Sequence, residues 1–205
     1  MPKLREDTAP EWTELYRAAE SQGGYFTTAQ AHEAGYSNPL IHYYVREGRL
    51  ERVARGIYRL GQFPAGENEE LIVAWLWSDR EGVLSHETAL ALHELSDVLP
   101  DRIHLTLPES WKRRRLRVPT GTVLAYADLE PEDRAWHGPV PVTTPLRTLL
   151  DCVQAATSPE LTLQARDEAL ERGLFSRQQL RRAATQAGVH DQLLEPRTNR
   201  RKPKR

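Results

Sequence analysis

Apolar positions in the first sixty residues fall into three helix-like blocks and one strand-like block. Trp12, Leu15, Tyr16 and Ala19 stand at i, i+3, i+4 and i+7, so they share one stripe of a helix that the Gly23-Gly24 pair ends. Tyr25 and Phe26 read as a short extended piece. Thr27 or Thr28 then caps a second helix over AQAHEA, which Gly35 stops. Asn38 followed by Pro39 has the form of an N-cap with proline in the first turn, and Gly48 marks the far end of this third helix. Ile41, Tyr44 and Val45 take its buried stripe, which leaves Leu40, His42, Tyr43 and Arg46 facing outward. The segment LERVARGIYRL is two short β-branched runs joined at Ala54-Arg55-Gly56, where glycine supplies the positive φ of a tight hairpin. Three helices, a short turn (GYSN) between the second and third, and a hairpin directly after the third form the order of a winged helix-turn-helix.

Beyond QFPAG, Gln62 to Gly66, the pattern changes, and the proline and glycine there mark a linker. Glu67 to Ser78 predicts a helix with acidic residues in its first turn. Val83-Leu84 predicts a brief strand, Ser85 caps a helix over HETALALHEL, and RIHLTLP and TGTVLAYA alternate with a strand period. Helices start at Thr144-Pro145, at Ser158-Pro159-Glu160 and at Ser176, the last two ending at Gly173 and Gly188. From Glu195 on, the chain is polar and basic, which predicts a disordered tail. The expected fold is therefore α+β: a winged helix-turn-helix over 1–61, a mixed α/β domain over 67–190, and a basic tail over 191–205.

Composition narrows the function. The longest unbroken apolar run, Leu71 to Trp77, is far short of the roughly 20 residues that span a bilayer. The first residues, MPKLREDTAPEW, lack the apolar stretch of a secretory signal, so the expected location is the cytoplasm, with no membrane partner. Net charge is −1, but its distribution is uneven: residues 37 to 61 carry five arginines (Arg46, Arg49, Arg52, Arg55, Arg59) against two glutamates. Lys112 to Arg117 is a second basic cluster, the tail from Arg197 is a third, and acidic residues gather at Glu67 to Glu70 and Asp128 to Asp133.

A helix fits the DNA major groove, where outward side chains reach base edges while arginines take phosphates. The candidate DNA-binding residues are Ser37, Asn38, Leu40, His42, Tyr43, Arg46, Arg49, Arg52 and Arg55. Asn38 or His42 suits a base edge, Leu40 a thymine methyl, Arg46 a guanine or phosphate, and Arg52 and Arg55 a wing contact with phosphate or minor groove. Catalysis is less supported. His86, His93 and His104 lack the spacing and partners of a zinc site, and no phosphate loop, nucleophile elbow or dinucleotide fingerprint occurs, so no metal, cofactor or catalytic residue is expected. Glu109 and Lys112 set a carboxylate near a lysine, as some nucleases do, but without an evident acidic partner for magnesium. The lone cysteine, Cys152, lies in an apolar setting and reads as a buried thiol.

Three stretches, Gly24 to Leu60, Leu84 to Pro108 and Val142 to Val153, resemble in order the AbiEi-type antitoxins of type IV toxin-antitoxin systems. The first resembles that family's winged helix, and the other two its second domain. The resemblance implies a repressor that binds repeats in its own promoter, as a possible dimer on double-stranded DNA. It also implies a neighbouring AbiEii-type nucleotidyltransferase toxin, which the second domain opposes. Two other readings stay open at this point: a nucleic-acid-cleaving enzyme and a stand-alone transcriptional regulator without a toxin.

Overall fold

A computed structural model describes residues 10–64, 66 and 68–194; the expected basic tail beyond Leu194 lies outside the described residues. The N-terminal part runs α1 (Trp12–Glu20), β1 (Tyr25–Thr27), α2 (Thr28–Glu33), α3 (Asn38–Arg46), β2 (Leu50–Ala54) and β3 (Ile57–Leu60). Its three strands form an antiparallel sheet in the order β1-β3-β2, so the extended Tyr25-Phe26 piece is the third strand against the hairpin. This is a winged helix-turn-helix. Local chemistry sets its joints. Thr27 caps α2 in a reciprocal box with Gln30, and Gly56 turns the hairpin at a φ of +75°. Leu15, Ala19, Phe26, Ala31, Ile41, Leu50, Tyr58 and Leu60 fill the core.

Three details differ from the sequence reading. Ser37, extended at φ −74° and ψ 158°, occupies the N-cap position of α3, while Asn38 is already helical and meets His32 Nε2 through its Oδ1 at 2.9 Å. Leu40 does not face outward: it is half-buried and packs on the core, because an apolar side chain at the helix start finds a ready contact there. On α1, Leu15 and Ala19 are buried, whereas Trp12 and Tyr16 are 42 % and 40 % exposed.

The second half contains α4 (Glu69–Trp77), β4 (Val83–Leu84), α5 (His86–Leu92), β5 (Ile103–Leu107), β6 (Thr122–Tyr126), β7 (Arg134–His137) and β8 (Val140–Thr143). It continues with α6 (Pro145–Gln154), α7 (Pro159–Glu171), α8 (Arg177–Gln186) and α9 (His190–Leu194). A mixed five-stranded sheet has the order β6-β5-β4-β8-β7. β4 pairs antiparallel with β5 and parallel with β8, β5 pairs parallel with β6, and β7 returns antiparallel along β8. Helices α5 to α9 enclose their own core of Leu90, Leu149, Ala165, Ala169, Leu180 and Leu193, with Cys152 fully buried among them. Burial pushes the Cys152 thiol up to about 12, as suits a packing residue rather than a nucleophile.

The remaining core crosses the linker. Tyr25 and Ile57 of the winged helix join Ile72, Trp75 and Leu76 of α4 and Leu84, Leu105, Val140 and Val142 of the large sheet in one cluster. Gly61, where the hairpin leaves for the second half, is pressed against Gly48: an added Cβ would lie 2.3 Å from the Gly48 carbonyl oxygen. Backbone on both sides leaves no flexible group to yield, so Gly61→Ala is expected to destabilise the protein by about 1–3 kcal/mol. Thermal melting should register this as a fall of about 2–4 °C per kcal/mol.

Candidate nucleic-acid interface

The exposed face of α3 carries Asn38, His42 and Arg46 at four-residue spacing, so the three lie along one stripe of the helix. Ser37 is exposed just before them. Tyr43 is 46 % exposed beside them, its ring edge-on to Tyr44 at 5.5 Å between centroids. Ile41 anchors the opposite side of the helix in the core, which fixes the direction in which this polar face points. Arg49 follows the helix, exposed, with its guanidinium 5.4 Å from the Tyr44 ring centre. Arg52 and Arg55 are exposed on the strand and turn of the hairpin. Eight of the nine expected residues are thus exposed on α3, the hairpin and the segments beside them, and Leu40 is the exception.

Arg59 separates itself from the other arginines. It is half-buried and ion-paired across the hairpin to Glu51, with which it stands in cross-strand register. Its charge is therefore spent inside the sheet. Arg59 and Glu69 of α4 also face the buried hydroxyl of Tyr25, which burial first and the Glu69 charge second push up to about 12. The basic surface of the hairpin is accordingly Arg52 and Arg55.

The second basic run leads into a loop that shares a cleft with the hairpin. Val53 of β2 lines a cleft of about 800 Å³ together with Leu71 and Ala74 of α4, Ile103 of β5 and the loop Pro119–Thr122. Lys112 to Arg115 and Arg117, which lead into that loop, are exposed. Leu116 is pinned to the core between them, and Arg114 lies 4.1 Å over the buried Trp111 ring. Lys112 Nζ bonds Glu109 Oε1 at 3.0 Å, and the Glu109 N–H donates to Asp128 Oδ1 at 3.0 Å. The acidic neighbour that spacing did not show is therefore Asp128, which a parallel strand brings alongside and which caps a turn. Among the described residues no group of three or more histidine, cysteine, aspartate or glutamate side chains could hold a metal ion.

Sequence reasoning missed a polar interior in the second half. Ser85 is fully buried and joined to Thr106 Oγ1 at 2.7 Å and to His86 Nδ1 at 2.9 Å. The His86 and His104 rings stack at 5.8 Å, and Arg147 bridges Asp133 and Asp151 at 2.8 Å each. Burial, then the neighbouring His104 and Arg147, lowers His86 from 6.5 to about 4. The unfolded chain thus takes up a proton near pH 6.5 that folded His86 refuses until about pH 4, so stability falls as pH drops through that window. His93, also depressed by burial, acts in the same direction, and Asp151, raised by burial, acts against it. Melting temperatures between about pH 7 and about pH 4.5 should show a shallower acid fall in His86→Asn than in the parent chain.

The family model described as "Transcriptional regulator, AbiEi antitoxin" matches residues 14–61, and that described as "AbiEi antitoxin C-terminal domain" matches residues 81–193. The fold is similar to that in the crystal structure of the RV2827C protein from Mycobacterium tuberculosis. That likeness has a TM-score of 0.55 and 17 % identity, over 89 % of this chain and 76 % of that one. No curated protein matches the chain significantly. No helix among the described residues is long and apolar enough to cross a membrane.

Proposed function

Because the chain belongs to the AbiEi antitoxin family, we propose that it is a DNA-binding antitoxin that represses its own promoter, reading operator repeats through α3 and the hairpin. In this reading residues 1–61 are the DNA-binding unit, and residues 67–190 oppose an AbiEii-type nucleotidyltransferase toxin encoded beside it. Residues 191–194 belong to α9; the basic stretch beyond Leu194 adds non-specific attraction to DNA, and two copies sit on the repeats, in the cytoplasm.

One observation carries the proposal. A helix anchored by Ile41 presents Asn38, His42 and Arg46 to solvent beside two exposed hairpin arginines, Arg52 and Arg55. The pairing of Arg59 with Glu51 strengthens it, because the arginines left exposed are the ones on the outer surface. Footprinting on DNA upstream of the gene is expected to protect repeated sites. If each protomer contacts about five phosphates, log affinity falls with log salt at a slope of about −4.5. A flat salt response would contradict phosphate-driven binding. Co-expression with the adjacent nucleotidyltransferase tests the toxin half, and a locus without such a gene points to a stand-alone regulator.

A further inference from the structure

We propose that the outer edge of β7 is a self-association surface, on which two copies of this chain pair β7 against β7 antiparallel about a twofold axis at Ala135. The two five-stranded sheets then become one continuous sheet.

β7 ends its sheet, and the backbone groups that face outward follow from β8. Trp136 stands opposite Pro141, which has no N–H to give, so this is a non-hydrogen-bonded pair. Three pairs along the ladder, an odd number, the Thr144 N–H donates to the Asp133 oxygen at 2.8 Å. The alternation assigns Asp133, Ala135 and His137 to β8 and turns the N–H and C=O groups of Arg134 and Trp136 away from it. Among the described residues no backbone or side-chain partner takes up those outward groups. Such an edge is normally guarded by shortness, charge, proline or a bulge. β7 has only its four-residue length and Arg134 as guards, with no lysine, proline or bulge, and it exposes Trp136 to 70 %.

The edge is complementary to itself in one register. With the axis at Ala135, Arg134 of each copy lies opposite the partner's Trp136, on the same face of the joined sheet, within cation–π range. Arg134 and Trp136 exchange both backbone bonds with their opposites, and the small Ala135 side chains let the central pair approach to about 4.5 Å. The hollow beside Trp136 is lined by Asp79 and Glu81 against one arginine, Arg80, so an incoming guanidinium meets a net negative charge. An axis at Arg134 would set like charges together, and an axis at Trp136 would leave both arginines unmatched. A four-residue edge is smaller than the roughly 800 Å² per partner of a stable dimer, so the contact is weak and reversible. It requires no DNA, so it can fail while the operator reading holds, and the reverse.

Sedimentation equilibrium of the full chain without DNA, from about 10 to about 500 µM, tests it. The parent chain is expected to show a concentration-dependent dimer. Trp136→Lys, which puts a charge on an exposed side chain, should weaken that dimer at least about tenfold with an unchanged melting temperature, while Trp136→Phe keeps most of it. Ala135→Cys adds the register: the native Cys152 is buried, so mild oxidation should link two copies through residue 135. Glu132→Cys, far from the axis, should not link. A monomer at every concentration, a dimer indifferent to Trp136→Lys, or equal cross-linking at 132 and 135 would each overturn the proposal.

Discussion

Replacing Arg46 and Arg55 together by alanine is expected to lower affinity for operator DNA at least about a hundredfold and leave the fold intact. Each guanidinium is exposed, one on α3 and one at the hairpin turn, so neither holds the core. A hydrogen bond to a charged group contributes about 1.5–3 kcal/mol, and losing two gives at least about 3 kcal/mol, which is more than two powers of ten. Surface changes away from caps and cores alter stability by about 0.5 kcal/mol or less, so the melting temperature should stay put. Arg177→Ala, at an exposed position on α8, is the matched control and should bind as the parent does. Electrophoretic mobility shift or fluorescence anisotropy at fixed salt reads all three. Undiminished binding in the double variant would remove α3 and the hairpin from the interface.

The second large effect concerns the core that crosses the linker. Ile72→Ala empties a site where α4 meets the winged helix: Ile72 is 4 % exposed, and its Cδ1 would lie 3.0 Å from a Cβ on Gly23. Deleting a buried isoleucine to alanine costs about 2–5 kcal/mol. At about 2–4 °C per kcal/mol for a chain of this size, melting should fall by roughly 4–20 °C. Because Tyr25 and Ile57 share that core with Leu84 and Val142, both halves should melt in one transition. Loss of helical signal and loss of DNA binding are then expected to coincide in temperature. Two separated transitions would show that the linker divides the molecule energetically.

Much of the winged helix was legible because its signals are local. Asn38-Pro39 and Gly48 bracket α3, Thr27 and Gln30 form a capping box within one turn, and Gly56 turns the hairpin. Errors arose where long-range packing decides. Leu40 and Ile41 look alike in sequence, and only the depth of the core beneath α3 makes Leu40 half-buried rather than fully outward-facing. Arg59 counts as basic surface until cross-strand register sets it opposite Glu51. In the second half, β7 and β8 escaped notice because RAWHGPVPVT holds two prolines and no alternation, while β8 is buried on every side. Asp128 beside Glu109, and Ser85 beside Thr106, are neighbours only once β4, β5 and β6 have paired.

The middle place of β4 has a consequence for the order of events on the ribosome. Leu84 can complete its sheet only when Val142 arrives, since β4 and β8 pair in parallel across a long stretch of chain that holds α5, β5, β6 and β7. Such closures are slow, because chain entropy is lost before any contact compensates. Translation at about 5–20 residues per second delivers α1 to β3 seconds before the strand that completes the cluster behind them. Nascent chains stalled before Val140 would therefore display α3 beside a hairpin whose Ile57 still lacks Val140 and Val142 as partners. The end that is synthesised early closes its own core early and gains its last outside partners late.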